Sequence, residues 1–276
     1  MAPDVATGVE HECQSGSACL LEPTGGFTDP VAAAEDLLRA ARREGVDIRL
    51  NCEVLDVIQH AGHVTGLRLK GGETIATATL INASGPWCNR LIQSSGISFQ
   101  WTLVPTRIQV MYLTRHDDVR LPLPVVADMG GGIYFRPQNN NQQIVVGSVL
   151  EADEREVIDD MDHFDRDTDQ DFRVAKLHAL HHRLPALPYR GTVRGYAGLY
   201  TINSQDAHPI VGPTELDGFL LANGFSGHGF KLAPAIGSLL AQFVTGTSAA
   251  FDTDVPITFL AKDRQPLVVD SKTALA

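Results

Sequence analysis

Apolar residues fall at helical spacing after Asp29: Val31, Ala34, Leu37, Leu38 and Ala41 recur every three or four positions, while Arg39, Arg42 and Arg43 fall on the other side. Asp29 is an N-cap acceptor, Pro30 suits the first helical position and Gly45 supplies a stop. The spacing predicts a helix that packs one face on a sheet. The pattern then shifts to short β-rich runs at 46–50, 53–59 and 64–69, with Gly62, Gly71 and Gly72 at the turns. Residues 79–83 are continuously apolar or β-prone and end in Ser84-Gly85-Pro86. That is the profile of a buried strand delivering a loop at its C-terminal end, where ligands of α/β sheets bind.

Strand patterns dominate 101–149: a run at 102–114, a proline-rich turn at 121–124, a run at 132–136, a polar hairpin at 138–143 and a run at 144–149. An antiparallel second domain fits these runs. An acidic segment follows at 151–171, then a helix at 172–183 that ends before Pro185. Residues 186–213 return to strand and turn character. A strand at 218–222, a glycine-rich loop at 223–229 and a helix at 232–245 complete the pattern, which holds no internal repeat.

At 276 residues the chain has room for about two domains at roughly 150 residues each. Its 22 basic against 33 acidic residues give a net charge of -11, which repels phosphate backbones and anionic lipid and argues against nucleic acid as a partner. The stretch 232–244 contains Ser238 and Gln242 and is too short for the ~30 Å of a bilayer core, so no membrane span is expected. The opening MAPDVATGVEHECQ has neither the basic nor the apolar region of a secretory signal, which makes the cytoplasm the expected compartment. Cys13, Cys19, Cys52 and Cys88 lack CxxC spacing and are expected as reduced thiols, not metal ligands.

The loop NGFSGHGFK, Asn223 to Lys231, has glycines at 224, 227 and 229 that let backbone N–H groups approach a ligand, and it feeds a helix whose positive end favours an anion. Its G-x-x-G-x-G order is not the dinucleotide fingerprint G-x-G-x-x-G, which occurs nowhere in the sequence. His178, His181 and His182 share a helix but lack a completing Glu or Cys, so a solvated face is expected. Asp165, Asp167, Asp169 and Asp171 alternate like a calcium loop, yet Gln170 and Lys176 stand where glycine and glutamate are required, so this too is expected as a solvated acidic loop. No metal site is expected.

The segments GGFTDPVAAAEDLLRAARREGV, INASGPWCNRL, AGLYTINSQDAHPIVGP and LLANGFSGHGFKLAPAIGSLLAQFVTG, in this order, resemble the D-amino-acid oxidase-like superfamily of FAD-dependent amine and amino-acid oxidoreductases. The branch of sarcosine, dimethylglycine and dye-linked proline dehydrogenases is the most similar. The resemblance runs from about residue 21 to residue 246 and implies an α/β (α+β) fold. Its parts are an incomplete FAD-binding domain at 1–100, an antiparallel substrate domain at 101–197, the returning part of the FAD domain at 198–246 and a tail at 247–276. The family's N-terminal βαβ unit has no counterpart here. The chain thus resembles the C-terminal two-thirds of such an enzyme, and a partner subunit is one source of the remainder.

Carried over, Val54 lies against the adenine, and Ala83, Ser84 and Gly85 lie under the pyrophosphate and ribose. Gly224, Phe225, Ser226, Gly227, His228 and Gly229 wrap the isoalloxazine, with Lys231 at its N1/C2=O edge and His228 at its substrate face. Tyr200 takes the place of a substrate-pocket tyrosine, and Arg136 is the candidate for a substrate carboxylate. Gly198 stands where some relatives attach flavin through cysteine, so FAD is expected to be noncovalent. Val145 replaces a lysine that activates oxygen, which favours a dehydrogenase with an electron acceptor over an oxidase using oxygen. The implied chemistry is hydride transfer from a small amine or amino acid to flavin, leaving an imine that water hydrolyses. The alternative is an inactive flavoprotein-like fragment or scaffold that needs the missing unit.

Overall fold

The computed structural model describes residues 18–115, 123–185, 187 and 192–268. The N-terminal stretch with Cys13, and Leu121 and Pro122 of the expected turn, lie outside the described residues. In chain order the elements are α1 (Pro30–Arg43), β1 (Val54–His60), β2 (His63–Leu69), β3 (Thr74–Ala76), β4 (Leu80–Asn82), α2 (Cys88–Ser95), β5 (Leu103–Thr114), β6 (Val126–Asp128), β7 (Ile133–Gln138), β8 (Gln143–Ser148), α3 (Gln170–Arg183), β9 (Arg194–Asn203), β10 (Ile210–Pro213), β11 (Phe219–Asn223) and α4 (Gly229–Thr245).

Helix α1 starts as its sequence dictates, with the Asp29 carboxylate accepting the Ala32 N–H at 2.8 Å and Pro30 next in line. It ends with the Val46 N–H on the Ala41 carbonyl at 3.1 Å, over Gly45 at φ 86°. Two expectations fail here. No residue of α1 is buried: Val31 and Leu37 are each 66% exposed, and Leu38 and Ala41 are only half-buried, so its apolar face does not pack on a sheet among the described residues. Residues 46–50 form no strand: Val46 is used to close the helix, and Val46 and Leu50 stay exposed with no neighbouring strand to pair with.

Strands β1, β2 and β3 form an antiparallel sheet. A second sheet runs β10-β11-β4, with β11 parallel to β4 in the register Leu80–Phe219, Ile81–Leu220 and Asn82–Leu221. All five residues of β11 are buried because its two faces meet different cores. Phe219 and Leu221 pack with Trp101, Leu103, Ile92 and Val64. Leu220 and Ala222 pack with Ile236, Leu239 and Leu240 of α4. This is the period-2 geometry of a strand covered on both sides.

The third sheet runs β6-β7-β8-β5-β9, all antiparallel. Its β7–β8 turn holds Asn139, Asn140 and Asn141 at positive φ, which asparagine tolerates well. Helix α3 packs Leu180 on one face, against Met111, Ile133, Phe135, Ile144 and Val146. Alternation therefore turns Tyr134, Arg136 and Gly147 to the other face, together with Tyr200 of β9. Strand β9 runs unbroken through positions 197 and 198, where the sequence divides substrate and FAD parts.

The acidic segment is not merely solvated, contrary to expectation. It wraps Arg107, whose side chain is 2% exposed. That guanidinium donates to Glu156 at 2.8 Å, to both oxygens of Asp169 and to the carbonyls of Asp165 and Asp167. The alternating aspartates thus present backbone oxygens and one carboxylate to a buried cation.

At the C-terminal side Arg264 pairs with fully buried Asp206 and stacks on Trp101 at 4.4 Å, while the Trp101 indole N–H donates to the Lys262 carbonyl at 2.6 Å. Burial alone would raise the Asp206 carboxyl. The Arg264 guanidinium and the Leu267 and His208 N–H groups outweigh it and hold the carboxyl below its ordinary range. Arg264→Met is expected to lower the unfolding free energy by about 3–5 kcal/mol at neutral pH, read by urea titration, because it strands a buried carboxylate. A depressed folded-state pKa contributes stability above the ordinary aspartate value near 4 and loses it as pH falls through the folded value. The deficit of the variant should therefore shrink in acid.

Candidate active site

Parallel pairing of β4 and β11 sends both strand ends out of the same edge of the sheet, so loops 83–85 and 224–228 emerge side by side. After β4, Asn82 organises the turn: its side-chain oxygen accepts the Ser84 hydroxyl at 2.6 Å and the Ser84 N–H at 3.2 Å, and its amide donates to the Cys88 carbonyl at 3.0 Å. Ala83 is left exposed, and Gly85 takes φ 54°. Cys88 is packed as expected, and burial pushes its thiol up to about 12.

After β11, Gly224 turns at φ 73°, where a Cβ would lie 2.6 Å from the Leu103 side chain. Ser226 is held at φ 47° by two contacts with β9. Its N–H donates to the Thr201 carbonyl at 3.0 Å, and its hydroxyl accepts the Asn203 N–H at 2.9 Å. Helix α4 then starts at Gly229, three residues earlier than the spacing predicts. No side chain caps its N-terminus and no acidic residue occupies its first turn, which instead carries exposed Lys231. An uncapped N-terminus beside a lysine is a site for a negative group.

Two hollows flank this loop. A cleft of about 130 Å³ is lined by Tyr134, Tyr200, Gly227 and Lys231, with Ile108 and Phe172 as apolar wall. An apolar groove of about 310 Å³ on the other side is lined by His208, His228, Lys231, Ile236 and Phe259. Burial raises the Tyr134 hydroxyl, with Tyr200, Tyr196 and Glu154 adding to the effect and Arg136 partly offsetting it. Burial likewise raises Tyr200, followed by Glu154 and Tyr196. Both phenols therefore stay protonated donors at neutral pH.

Of the predicted residues, Tyr200, Gly227 and Lys231 meet in the cleft, while His228 faces the groove. Arg136 does not line the cleft: its guanidinium donates to the Pro137 carbonyl at 3.1 Å and lies 5.2 Å over the Phe27 ring. Val54 sits apart, half-buried at the start of β1. Tyr134 and Phe172 escaped notice in the sequence. Tyr134 is two residues before Arg136 and so on the same face, a relation that alternation alone could have supplied. His178 and His182 bring their Nε2 atoms to 3.3 Å, but among the described residues no group of three or more ligands could hold a metal.

The groups at these two loops fit a flavin. Both amide atoms of Asn223, fully buried at the strand end, lack a hydrogen-bond partner, and the α4 N-terminus is uncapped beside Lys231. Unpaired donors next to positive-φ glycines fit a large polar ring better than they fit a closed protein turn.

The sequence matches the family described as FAD dependent oxidoreductase over residues 4–243. It is 31% identical over 196 residues to FAD-dependent oxidoreductase domain-containing protein 1 of Bos taurus, covering 67% of this chain and 39% of that protein. It is 25% identical over 243 residues to sarcosine oxidase subunit beta of Rhizobium meliloti, covering 85% of this chain and 54% of the relative. The L-proline dehydrogenase from P. horikoshii shares the fold at a TM-score of 0.70 and 23% identity, covering 85% of this chain and 59% of that one. The chain thus spans about half the length of the curated relatives it matches.

Gly224→Ala places a Cβ against Leu103 at a positive φ and is expected to cost about 1–3 kcal/mol. Gly198→Ala, whose Cβ meets no atom within 4 Å, should leave the thermal unfolding midpoint unchanged.

Proposed function

We propose, from the premise that the chain belongs to the family of FAD-dependent oxidoreductases, that it forms the flavin-facing and substrate-facing part of an oxidoreductase acting on a small amine or amino acid, of the sarcosine, dimethylglycine or proline kind. The observation that carries this reading is the meeting of Tyr200, Gly227 and Lys231 in one cleft at the N-terminus of α4. FAD supplies the hydride acceptor that converts the substrate C–N bond to an imine, which water then hydrolyses.

The chain's own residues bind and orient. Ala83, Ser84 and Gly85, with Val54 on the adenine side, serve the nucleotide end of the cofactor. Gly224, Phe225, Ser226 and Gly229 serve its ring through backbone groups, and His228 serves it from the groove. Gly198 offers no nucleophile, so the cofactor is held noncovalently. Lys231 and the open α4 N-terminus serve the N1/C2=O edge of the ring, and Tyr200, with Tyr134 beside it, faces the substrate. Protonated Tyr134 and Tyr200 donate hydrogen bonds without adding charge, and Ile108 and Phe172 exclude water. Arg136 acts on this site only through its field at Tyr134. The hydrophobic side chain at Val145 supports a dehydrogenase that passes electrons to an acceptor.

A second component is favoured by the sheet itself. Strand β4 is an edge strand among the described residues, Ile81 on it is 39% exposed, and α1 has no fully buried residue. These surfaces suit a segment or partner subunit that holds the nucleotide half of FAD.

The test is the visible spectrum of the protein desalted after incubation with excess FAD. Retained flavin bands should bleach without oxygen on adding sarcosine, dimethylglycine or proline. A protein that stays colourless supports the scaffold reading instead. In a flavin-retaining preparation, Tyr200→Phe should raise the substrate concentration for half-maximal bleaching about threefold to tenfold, leaving the bands in place.

A further inference from the structure

Strand β8, inside the five-stranded sheet, carries Gly147 next to its last residue, where a glycine adds no packing and weakens a strand. Its neighbours give it a use. Gly147 stands opposite Tyr134 of β7 on one side and opposite Val110 of β5 on the other. The Tyr134 phenol lies across it, because a Cβ at position 147 would run into the ring atoms Cε1 and Cζ and the hydroxyl of Tyr134, which are the nearest atoms to it. A side chain at 147 would therefore lift the phenol off the strand. Just beyond this point the sheet thins: β5 pairs with β8 only as far as Val110, whereas it pairs with β9 on to Leu103. The cleft lies at that step, lined by Ile108 of β5, Ser148 at the end of β8, Tyr200 of β9 and the seated Tyr134. Its volume of about 130 Å³ is well below the ~300 Å³ at which pockets for drug-sized ligands begin.

We propose that Gly147 and Tyr134 together set the size of the substrate: the glycine seats the phenol across β8, the seated ring bounds the cleft, and the cleft takes a small amine such as sarcosine and rejects one with a ring-sized group on its nitrogen. The assignment rests on the amine or amino-acid reading above. An N-benzyl group needs the volume that the Tyr134 ring fills, and such an overlap in a packed wall is relieved only by moving side chains or backbone. Tyr134 is the specificity-determining residue because it lines the cleft, and Gly147 is a positioning residue that acts through it.

The test is calorimetric titration of FAD-saturated protein with sarcosine and with N-benzylglycine, which carries the same charges and differs by the added ring. Wild type should bind sarcosine about tenfold or more tightly than N-benzylglycine. Tyr134→Ala opens a ring-shaped hole and should shrink that ratio about tenfold by tightening N-benzylglycine, whereas Tyr134→Phe keeps the ring and should keep the ratio. Gly147→Ala should weaken sarcosine binding about threefold to tenfold and lower the thermal unfolding midpoint in the presence of Tyr134. It should do neither in the Tyr134→Ala background, where no ring meets its Cβ. Equal binding of the two ligands by wild type, or a ratio in Tyr134→Ala that stays put or falls only because sarcosine weakens, overturns the size limit. Equal effects of Gly147→Ala with and without the Tyr134 ring overturn the seat. Failure of both ligands to bind wild type and Tyr134→Ala overturns the amine reading, and this assignment with it.

Discussion

The cleft depends on one clasp, the pair of hydrogen bonds by which Ser226 joins the glycine loop to β9. Ser226 sits at a left-handed φ of 47°, a conformation that costs a residue with a Cβ on the order of 1–3 kcal/mol. Its two bonds to Thr201 and Asn203 return about 0.5–1.5 kcal/mol each, so they roughly offset the strain without a surplus. The clasp therefore holds because Ser226 is buried and the loop has no better-solvated alternative. Its effect is positional. Tyr200 belongs to the five-stranded sheet and Lys231 to the helix that follows the parallel pair, and the clasp, with Gly224 packed close to Leu103, makes these two lines of chain share a wall.

The same economy governs charge. The chain carries a net charge of -11, and several of its cations are spent inside. Arg107, Lys176, Lys262 and Arg264 are all nearly buried, and each gathers carboxylates or carbonyls from distant parts of the sequence. A buried cation is tolerated only with such partners. Arg107 and Lys176 thereby order parts of the acidic segment that would otherwise repel itself. Lys176 holds Asp153 on the acidic side of the cleft, whereas Lys231, left exposed at the helix end, supplies the opposite sign. The polarity of the cleft follows from which cations were buried and which was not.

What could be read from the sequence divides along the same line. Local patterns predict α1 from its cap and spacing, the β-runs of the five-stranded sheet from their β-prone residues and turns, and the β11-loop-α4 unit from its glycines. These features follow from near neighbours, and the structure keeps them. The failures concern partners far along the chain. Residues 46–50 have the composition of a strand but no strand beside them. The aspartates of 165–171 read as solvated because the arginine they surround lies some sixty positions away. Arg136 was the natural carboxylate ligand by type, yet Phe27 and Pro137 occupy it, while Tyr134 on the same face reaches the cleft. Side-chain type announces what a residue can bind, but only the register of distant strands decides what it meets.

The covered and uncovered surfaces finally separate the two halves of the chemistry. Parallel strands are ordinarily sheltered on both faces and paired along both edges. Here β11 satisfies that rule completely, whereas β4 offers one open edge and α1 keeps Val31 and Leu37 in water. Covering each of those side chains would contribute about 1.5–3 kcal/mol, so they form a standing attraction for another layer. None of that surface borders the cleft, whose lining comes from β5, β7, β8, β9, the acidic segment, the start of α3 and the glycine loop with the α4 end. The edge strand and the helix face thus lie apart from the cleft lining, so a layer laid over them leaves that lining as it stands.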